Sequence, residues 1–305
     1  MEIYLPIAEM SVNWVFLIGL GLSVGFLSGL FGVGGGFLLT PLLVFYGIPS
    51  TVAVGTTLSH IAASSVSGAL TQWRRRAIDF KMAGIMLAGG FAGTLIGVWL
   101  FALMRAQGQM DLIVSLSYVL LLGIVGGIML KESLDTLRAA RGGAVTPFRP
   151  VNRAWITGLP LKTRFRQSRL YISIIPPIAI GVFVGILSAI MGIGGGFIVV
   201  PAMIYLLRMP TNVVLGTSLV QIIGITAVTT VLQATSNYAV DIVLAFFLVM
   251  GGVVGAQIGV RAGARLRGEQ LRFLLAMMVL AVALRLAWGL VVTPADIYSI
   301  TLGGN

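Results

Sequence analysis

The 305-residue chain has no cysteine, one histidine and nine acidic residues. Without cysteine it can form neither a disulfide nor a thiolate metal site. With so few histidine and carboxylate side chains, it offers no cluster with metal-ligand spacing. A nucleophile–base pair or a pair of catalytic acids is equally hard to assemble from this composition. We therefore expect no metal, no other cofactor and no enzymatic activity.

Charged residues are also scarce. They make up 10% of the chain, and 58% of the residues are hydrophobic, whereas soluble domains are about 25% charged. Apolar runs of about 18 residues recur, each long enough to cross a bilayer, and the short alternating strands of a membrane barrel are missing from the sequence. These features predict an all-α polytopic membrane protein. The net charge of +11 reflects basic cytoplasmic loops, so nucleic acid is not an expected partner, whereas membrane lipid is.

Two of the ten predicted apolar segments are too short to cross a bilayer. Phe37–Tyr46 and Phe197–Leu207 would form only ~15 Å of helix, about half the thickness of a bilayer core. We interpret them as half-helices or re-entrant pieces, which survive at membrane depth only where protein or water surrounds them. The other predicted segments are Val12–Phe31, Val52–Trp73, Met82–Met104, Leu112–Leu130, Tyr171–Met191, Val213–Leu232, Ile242–Val260 and Leu271–Val292.

The chain repeats itself. A glycine run precedes each short segment, at Gly32–Pro41 and at Gly192–Pro201, and each is followed by a Gly-Thr motif. Small residues four apart also recur, and such rows allow membrane helices to approach closely; they are Gly89, Gly93 and Gly97, and Gly251, Gly255 and Gly259. We predict a first transmembrane repeat over 1–131, a basic cytoplasmic linker over 132–170 and a second transmembrane repeat over 171–305.

The distribution of basic residues predicts that the two repeats are inverted. Basic residues cluster at Arg74–Lys81, throughout the linker and at Arg261–Arg272, and these regions are expected to be cytoplasmic. The loop Thr235–Asp241, which is equivalent to Arg74–Lys81, carries one acid and no base. Equivalent loops then lie on opposite sides, with both termini extracytoplasmic. Because the N-terminus lacks a basic region before its first apolar segment, we expect that segment to be retained.

Each glycine run is a candidate anion site. Its backbone N–H groups and the positive end of the following helix dipole favour an anion without a charged side chain. Paired breaks of this kind mark the binding site in transporters built from inverted repeats. Close helix packing is the alternative role of these glycines. The candidate residues are Gly34, Gly35, Gly36, Gly194, Gly195 and Gly196.

The Gly-Thr motifs supply four hydroxyls, from Thr56, Thr57, Thr217 and Ser218. We include them in the predicted site because the motif occurs twice and begins the segment that follows each short helix. Alternatively, such hydroxyls bond only to carbonyls of their own helix.

Three further polar side chains lie within apolar segments. His60 and its repeat equivalent Gln221 can each donate and accept hydrogen bonds, and His60 is also a candidate proton carrier. A helix-to-helix hydrogen bond is the alternative for both. Arg285 either attracts an anion or extends outward to the membrane surface. Asp79 and Asp241 are expected to cap helix starts.

These motifs resemble those of the TauE/SafE family of sulfite exporters and organic-anion permeases. The resemblance covers nearly the whole chain, and it implies outward transport of a small organosulfur or inorganic sulfur anion such as sulfite, sulfoacetate or another sulfonate. It also implies a bacterial inner membrane location and coupling to an ion gradient, with proton and sodium both left open. The residues that carry it are Gly29–Phe37, Pro41, Pro49, Gly55–Leu58, Gly192–Pro201, Pro210 and Gly216–Leu219.

We therefore expect a secondary transporter that works by alternating access, with the anion held at the paired glycine-rich helix starts. The alternatives are an anion channel, which would pass ions too fast for alternating access, and a transporter of a non-sulfur organic anion. An intramembrane enzyme is the least favoured class.

Overall fold

The computed structural model describes residues 2–31, 34–108, 110–142, 160–165, 167–168, 170–263 and 268–291. Gly32 and Val33 of the first glycine run, and residues 143–159 of the expected linker, lie outside the described residues.

The fold is helical, as predicted for an all-α polytopic membrane protein. Six helices in the described part of the chain are long and apolar enough to cross a membrane. The helices are α1 Trp14–Phe31, α2 Gly36–Phe45, α3 Ser50–Arg74, α4 Phe80–Ala106, α5 Met110–Gly142, α6 Ile175–Met191, α7 Gly196–Pro201, α8 Thr211–Ser236, α9 Ile242–Gly263 and α10 Gly268–Val291.

The outer surface of α5 shows how the protein faces lipid. Leu116, Leu120, Ile124 and Ile128 recur at four-residue spacing and are between 50% and 57% exposed. Residues four apart lie on one face of a helix, so this face is a continuous apolar stripe. A soluble protein would bury such a stripe, whereas a bilayer is an apolar solvent for it.

Helix α3 has the opposite character. It is not among the helices that are apolar enough to cross a membrane on their own, and it buries Thr56, Thr57, His60, Ser64 and Ser65. It packs against α8, α9 and α2. A helix this polar is stable at membrane depth because other helices shield it from lipid. The polar residues of the first half are thus concentrated at the centre of the bundle.

Both short segments are short helices, as predicted. Helix α2 has 10 residues and contains Pro41. Helix α7 has 6 residues and ends at Pro201, after which Ala202–Leu206 form a π-helical turn. Proline has no N–H for the helical hydrogen bond, but α2 stays α-helical through Pro41, so the π-helical turn is a difference between the two short helices.

One β-hairpin precedes the first helix of each half, and neither hairpin was predicted. Strands β1 (Glu2–Leu5) and β2 (Met10–Asn13) pair antiparallel, as do β3 (Lys162–Phe165) and β4 (Leu170–Ser173). Each strand has only four residues, too few for a clear alternating pattern. Helix α5 also continues to Gly142, so the expected linker boundary at residue 132 falls within a helix.

Glycines line the two tightest helix crossings, where α1 packs on α9 and α4 packs on α6. A Cβ atom at Gly25 of α1 would overlap the carbonyl oxygen of Gly252, and one at Gly93 of α4 would overlap that of Val182. The prediction that these glycine rows allow close helix approach is confirmed. Each crossing joins one helix from each half.

The packing of the halves is reciprocal. The pair α1–α9 corresponds under the sequence repeat to α6–α4, and the pair α3–α9 corresponds to α8–α4; all four pairs are in contact. Helix α3 packs on its own equivalent α8, and α5 packs on its equivalent α10. The repeat in the sequence is therefore also a repeat of contacts.

Replacing Gly25 with alanine should destabilise the protein. The new Cβ would overlap the backbone of Gly252, and overpacking of this kind costs about 1–3 kcal/mol. The matched control is Gly19→Ala on the same helix, where a Cβ would meet nothing within 4 Å and stability should be unchanged or up to about 1 kcal/mol higher. The stability of both variants is measured as the melting temperature in detergent. Equal melting temperatures for Gly25→Ala and Gly19→Ala would contradict the role of Gly25 in the crossing.

Candidate functional site

The chain turns sharply at both glycine runs. Gly34 and Gly35 have φ angles of 88° and 65°, and Gly194 and Gly195 have φ angles of 70° and 79°. These left-handed conformations favour glycine because it lacks a Cβ atom. The turns connect α1 to α2 and α6 to α7, and the N-cap residues of the two short helices, Gly35 and Gly195, have no side chain that could cap the helix start.

The two glycine runs meet. Phe37 and Phe197, which follow the two runs, stack with ring centroids 5.1 Å apart. A Cβ atom at Gly36 would lie 2.8 Å from the carbonyl oxygen of Ile193. The structure thus brings the starts of α2 and α7 together, with Gly36 against the second run.

Apolar side chains from α3 and α8 pack against this junction. Ile61 of α3 approaches Gly34, Gly36 and Gly194, and its repeat equivalent Ile222 of α8 approaches Gly34. Both isoleucines are fully buried. In this conformation apolar isoleucine side chains therefore pack directly against both glycine runs.

His60 and Gln221 directly precede these isoleucines. Both are fully buried, and no side-chain nitrogen or oxygen of either residue has a hydrogen-bond partner of acceptable geometry among the described residues. The ring of His60 faces the α1–α9 crossing, where its Nε2 is the nearest atom to a Cβ built at Gly252. Leaving a buried polar group unpaired costs about 1–3 kcal/mol, so two equivalent cases call for an explanation.

The second hydroxyl residue of each Gly-Thr motif, Thr57 in one half and Ser218 in the other, has different surroundings in the two halves. The Thr57 hydroxyl is buried and has no partner in the described part of the protein. The Ser218 hydroxyl donates to the Leu215 carbonyl of its own helix at 3.1 Å, which is the alternative weighed from the sequence. Thr57 thus joins His60 and Gln221 as a buried polar group without a partner.

Thr56 and Thr217 connect the two halves. The Thr56 hydroxyl accepts the backbone N–H of Asp241 at 3.0 Å, and the Thr217 hydroxyl accepts the backbone N–H of Asp79 at 3.0 Å. Each threonine lies in one half and its partner in the other. These contacts give both threonines a structural role, which the sequence did not predict.

Each aspartate completes a buried junction. The Asp79 carboxylate accepts the Met82 N–H at 3.1 Å and the Asp241 carboxylate accepts the Leu244 N–H at 3.0 Å, so the predicted caps of α4 and α9 are confirmed. The second carboxylate oxygen of each aspartate accepts an N–H from a hairpin turn of the other half. The N–H of Ser168 donates to Asp79, and the N–H of Ile7 donates to Asp241. A hairpin, a helix start and a threonine thus meet at each aspartate.

Comparison with known families gives a match over most of the chain. A family described as Sulfite exporter TauE/SafE matches residues 17–286. The chain belongs to the TauE/SafE family. It is accordingly a membrane transporter and not an enzyme, and the resemblance inferred from the glycine and Gly-Thr motifs is confirmed.

Curated relatives of this TauE/SafE protein have matching lengths. The probable membrane transporter protein YjnA of Bacillus subtilis is 31% identical, over 89% of this chain and 99% of the relative. A probable membrane transporter protein of Xylella fastidiosa is 30% identical, over 90% of this chain and 95% of the relative. A probable membrane transporter protein of Methanocaldococcus jannaschii is 25% identical, over 86% of this chain and 91% of the relative. No solved structure matches the chain.

Arg285 lies apart from the rest of the predicted site in this TauE/SafE protein. It is exposed on α10, and its guanidinium carbon stands 5.0 Å from the ring centroid of Phe45, at the end of α2. Cation–π contacts of this kind stabilise a charge on a partly apolar surface. The structure therefore does not bring Arg285 together with the glycine runs.

Tyr118 of α5 is a residue near the site that the sequence did not single out. Its buried hydroxyl donates to the carbonyl of Met191 at 2.7 Å, directly before the second glycine run, and lies 3.5 Å from the carbonyl of Gly36. Tyr118 is one of several polar residues on α5, so the sequence alone did not distinguish it.

Thr217→Val should destabilise this protein because it removes the acceptor of a buried N–H. Leaving the Asp79 N–H unpaired is expected to cost about 1–3 kcal/mol, and valine keeps the shape of threonine. Thr235→Val is the control, since Thr235 is exposed and its hydroxyl bonds within its own helix; it should change stability by less than about 0.5 kcal/mol. Thermal unfolding in detergent compares them, and a Thr217→Val protein as stable as the control would refute the junction.

Proposed function

We propose that this protein is a secondary transporter that exports small sulfur-containing anions such as sulfite, sulfoacetate or another sulfonate. The observation that carries the proposal is the pair His60 and Gln221. They occupy equivalent positions in the two repeats and are fully buried, and neither has a hydrogen-bond partner of acceptable geometry in the described part of the chain, although the backbone of Gly21 lies close to the His60 ring. A transported anion that accepts hydrogen bonds would satisfy them in a conformation that admits it.

The glycine runs support an anion as the substrate class. Two helix starts come together at Phe37 and Phe197, and helix starts offer N–H groups and a positive dipole end. Sulfite and sulfonates spread their negative charge over three oxygens, so several weak donors can share it. No buried lysine or arginine is needed in such a site. The family description, sulfite exporter, points to the same chemical class.

The packing supports alternating access rather than an open pore. Ile61 and Ile222 fill the space next to the glycine runs in this conformation, so an anion reaches the site only after these side chains move. The reciprocal contacts of the two halves provide two equivalent ways for them to move, one opening toward each side of the membrane. His60 is the candidate carrier if a proton gradient drives export; a sodium gradient is the alternative driving force.

The direct test is transport by the purified protein in proteoliposomes. Vesicles loaded with sulfite or sulfoacetate should release the anion at a rate that saturates with concentration, and the same anions should raise the melting temperature. His60→Ala and Gln221→Ala should each weaken apparent affinity about tenfold to a hundredfold, because a hydrogen bond to a charged ligand contributes about 1.5–3 kcal/mol.

Thr235→Val serves as the control here as well, because its exposed hydroxyl lies outside the proposed site. Protein that moves neither sulfite nor any sulfonate, and whose melting temperature none of them changes, would rule out the substrate class. Electrical recordings that show anion currents as large as those of a channel would rule out alternating access.

We also propose that the repeats are inverted, and the absence of cysteine makes this simple to test. Single variants Arg75→Cys and Tyr238→Cys would each carry the only thiol in the chain, and both positions are exposed. A membrane-impermeant maleimide on intact cells should label Tyr238→Cys, but Arg75→Cys only after permeabilisation, because the basic loop is expected to be cytoplasmic. Labelling of both from the same side would contradict the inverted arrangement.

A further inference from the structure

A pocket of about 430 Å³ opens where α3 ends and α4 begins. Both halves contribute to it, because Gln167 belongs to the turn between β3 and β4. Its lining combines arginine side chains with large apolar ones: Leu70, Trp73, Arg74, Arg76, Ile78, Phe80 and Gln167.

Two aromatic rings form the apolar part of the pocket. Trp73 and Phe80 are 62% and 57% exposed, and their rings meet edge to face with centroids 6.3 Å apart. Tryptophan is enriched where membrane proteins cross the boundary between headgroups and acyl chains. Its position at the last turn of α3, beside three arginines, places this pocket at such a boundary.

The charged part of the pocket is strongly basic. Four basic side chains are exposed here: Arg74 at the end of α3, Arg75 and Arg76 on the connection, and Lys81 at the start of α4. The acid within this connection, Asp79, is buried and directs its carboxylate oxygens to Met82 and Ser168. Its charge is therefore turned inward, whereas Arg74 and Arg76 line the pocket and Lys81 donates to the carbonyl of Arg164 at 3.4 Å.

We propose that this pocket binds an anionic phospholipid. The phosphate would lie against the guanidinium groups of Arg74 and Arg76, since the planar fork of arginine matches phosphate oxygens. The start of an acyl chain would lie along Trp73 and Phe80. A phospholipid fits better than a free anion because the site pairs positive charge with exposed apolar surface at one level of the bilayer.

Such a lipid would also hold the two halves together on this face. The Gln167 side-chain amide donates to the carbonyl of Arg76 at 2.6 Å, and the next residue, Ser168, donates to Asp79. A lipid that contacts both Arg76 and Gln167 therefore stabilises the junction between the β3–β4 turn and the start of α4. This inference stands independently of which anion the protein transports.

The experiment measures lipid retention by the full-length protein in neutral detergent, using native mass spectrometry. Phosphatidylglycerol should bind in preference to phosphatidylcholine and should raise the melting temperature. The double variant Arg74→Gln/Arg76→Gln should weaken phosphatidylglycerol binding by at least about tenfold, since each arginine near an anionic lipid contributes about fivefold. Trp73→Ala should weaken it without a change of charge.

The matched control is Arg261→Gln, which removes an exposed arginine at the end of α9, outside the pocket lining. This variant should bind phosphatidylglycerol as the unmodified protein does. Should the double variant fail to fold, Arg74→Gln alone serves, because Arg74 is an exposed side chain at a helix end.

Three results would overturn the proposal. The first is phosphatidylglycerol binding by the arginine variant within twofold of the unmodified protein. The second is equal binding of phosphatidylcholine. The third is the same rise in melting temperature with inorganic phosphate and no lipid, because that would identify a site for free anions.

Discussion

The close approach of helix backbones from different halves is the constraint on which this structure depends. Between helices in a bilayer there is little hydrophobic driving force, because lipid tails are as apolar as the side chains they replace. Dense packing must supply the attraction instead. The glycine rows of α1 and α9, and of α4 and α6, let whole stretches of backbone touch. Helices α3 and α8, which carry His60 and Gln221, pack against α9 and α4 of these crossings.

The buried polar groups fall into two kinds. Asp79, Asp241, Thr56 and Thr217 are satisfied by hydrogen bonds that cross between the halves, and their chemistry is complete in this conformation. His60 and Gln221 have no such partners in the described part of the chain. Buried polar groups are nearly always paired in native proteins, and the unpaired kind here also includes the buried hydroxyls of Ser50, Thr57, Ser65 and Ser188.

Much of the fold follows from local patterns in the sequence. The glycine runs marked the starts of α2 and α7, and the aspartates marked the starts of α4 and α9, because turns and caps depend on a few neighbouring residues. The glycine rows predicted close packing but could not name the partner helices, since any small-residue row fits any other. The bonds of Thr56 to Asp241 and of Tyr118 to Met191 join residues far apart in the chain, and nothing local signals them. The four-residue hairpin strands are simply too short to show a period.

The way the crossings are shared has a consequence for each repeat. Helix α1 finds its glycine-lined partner in α9, and α6 finds its partner in α4, so neither repeat contains both members of a crossing. A chain with a single repeat could form no such crossing by itself, whereas two copies of it could form both. Each repeat is therefore incomplete by itself, because the partner for its glycine-lined helix lies in the other repeat.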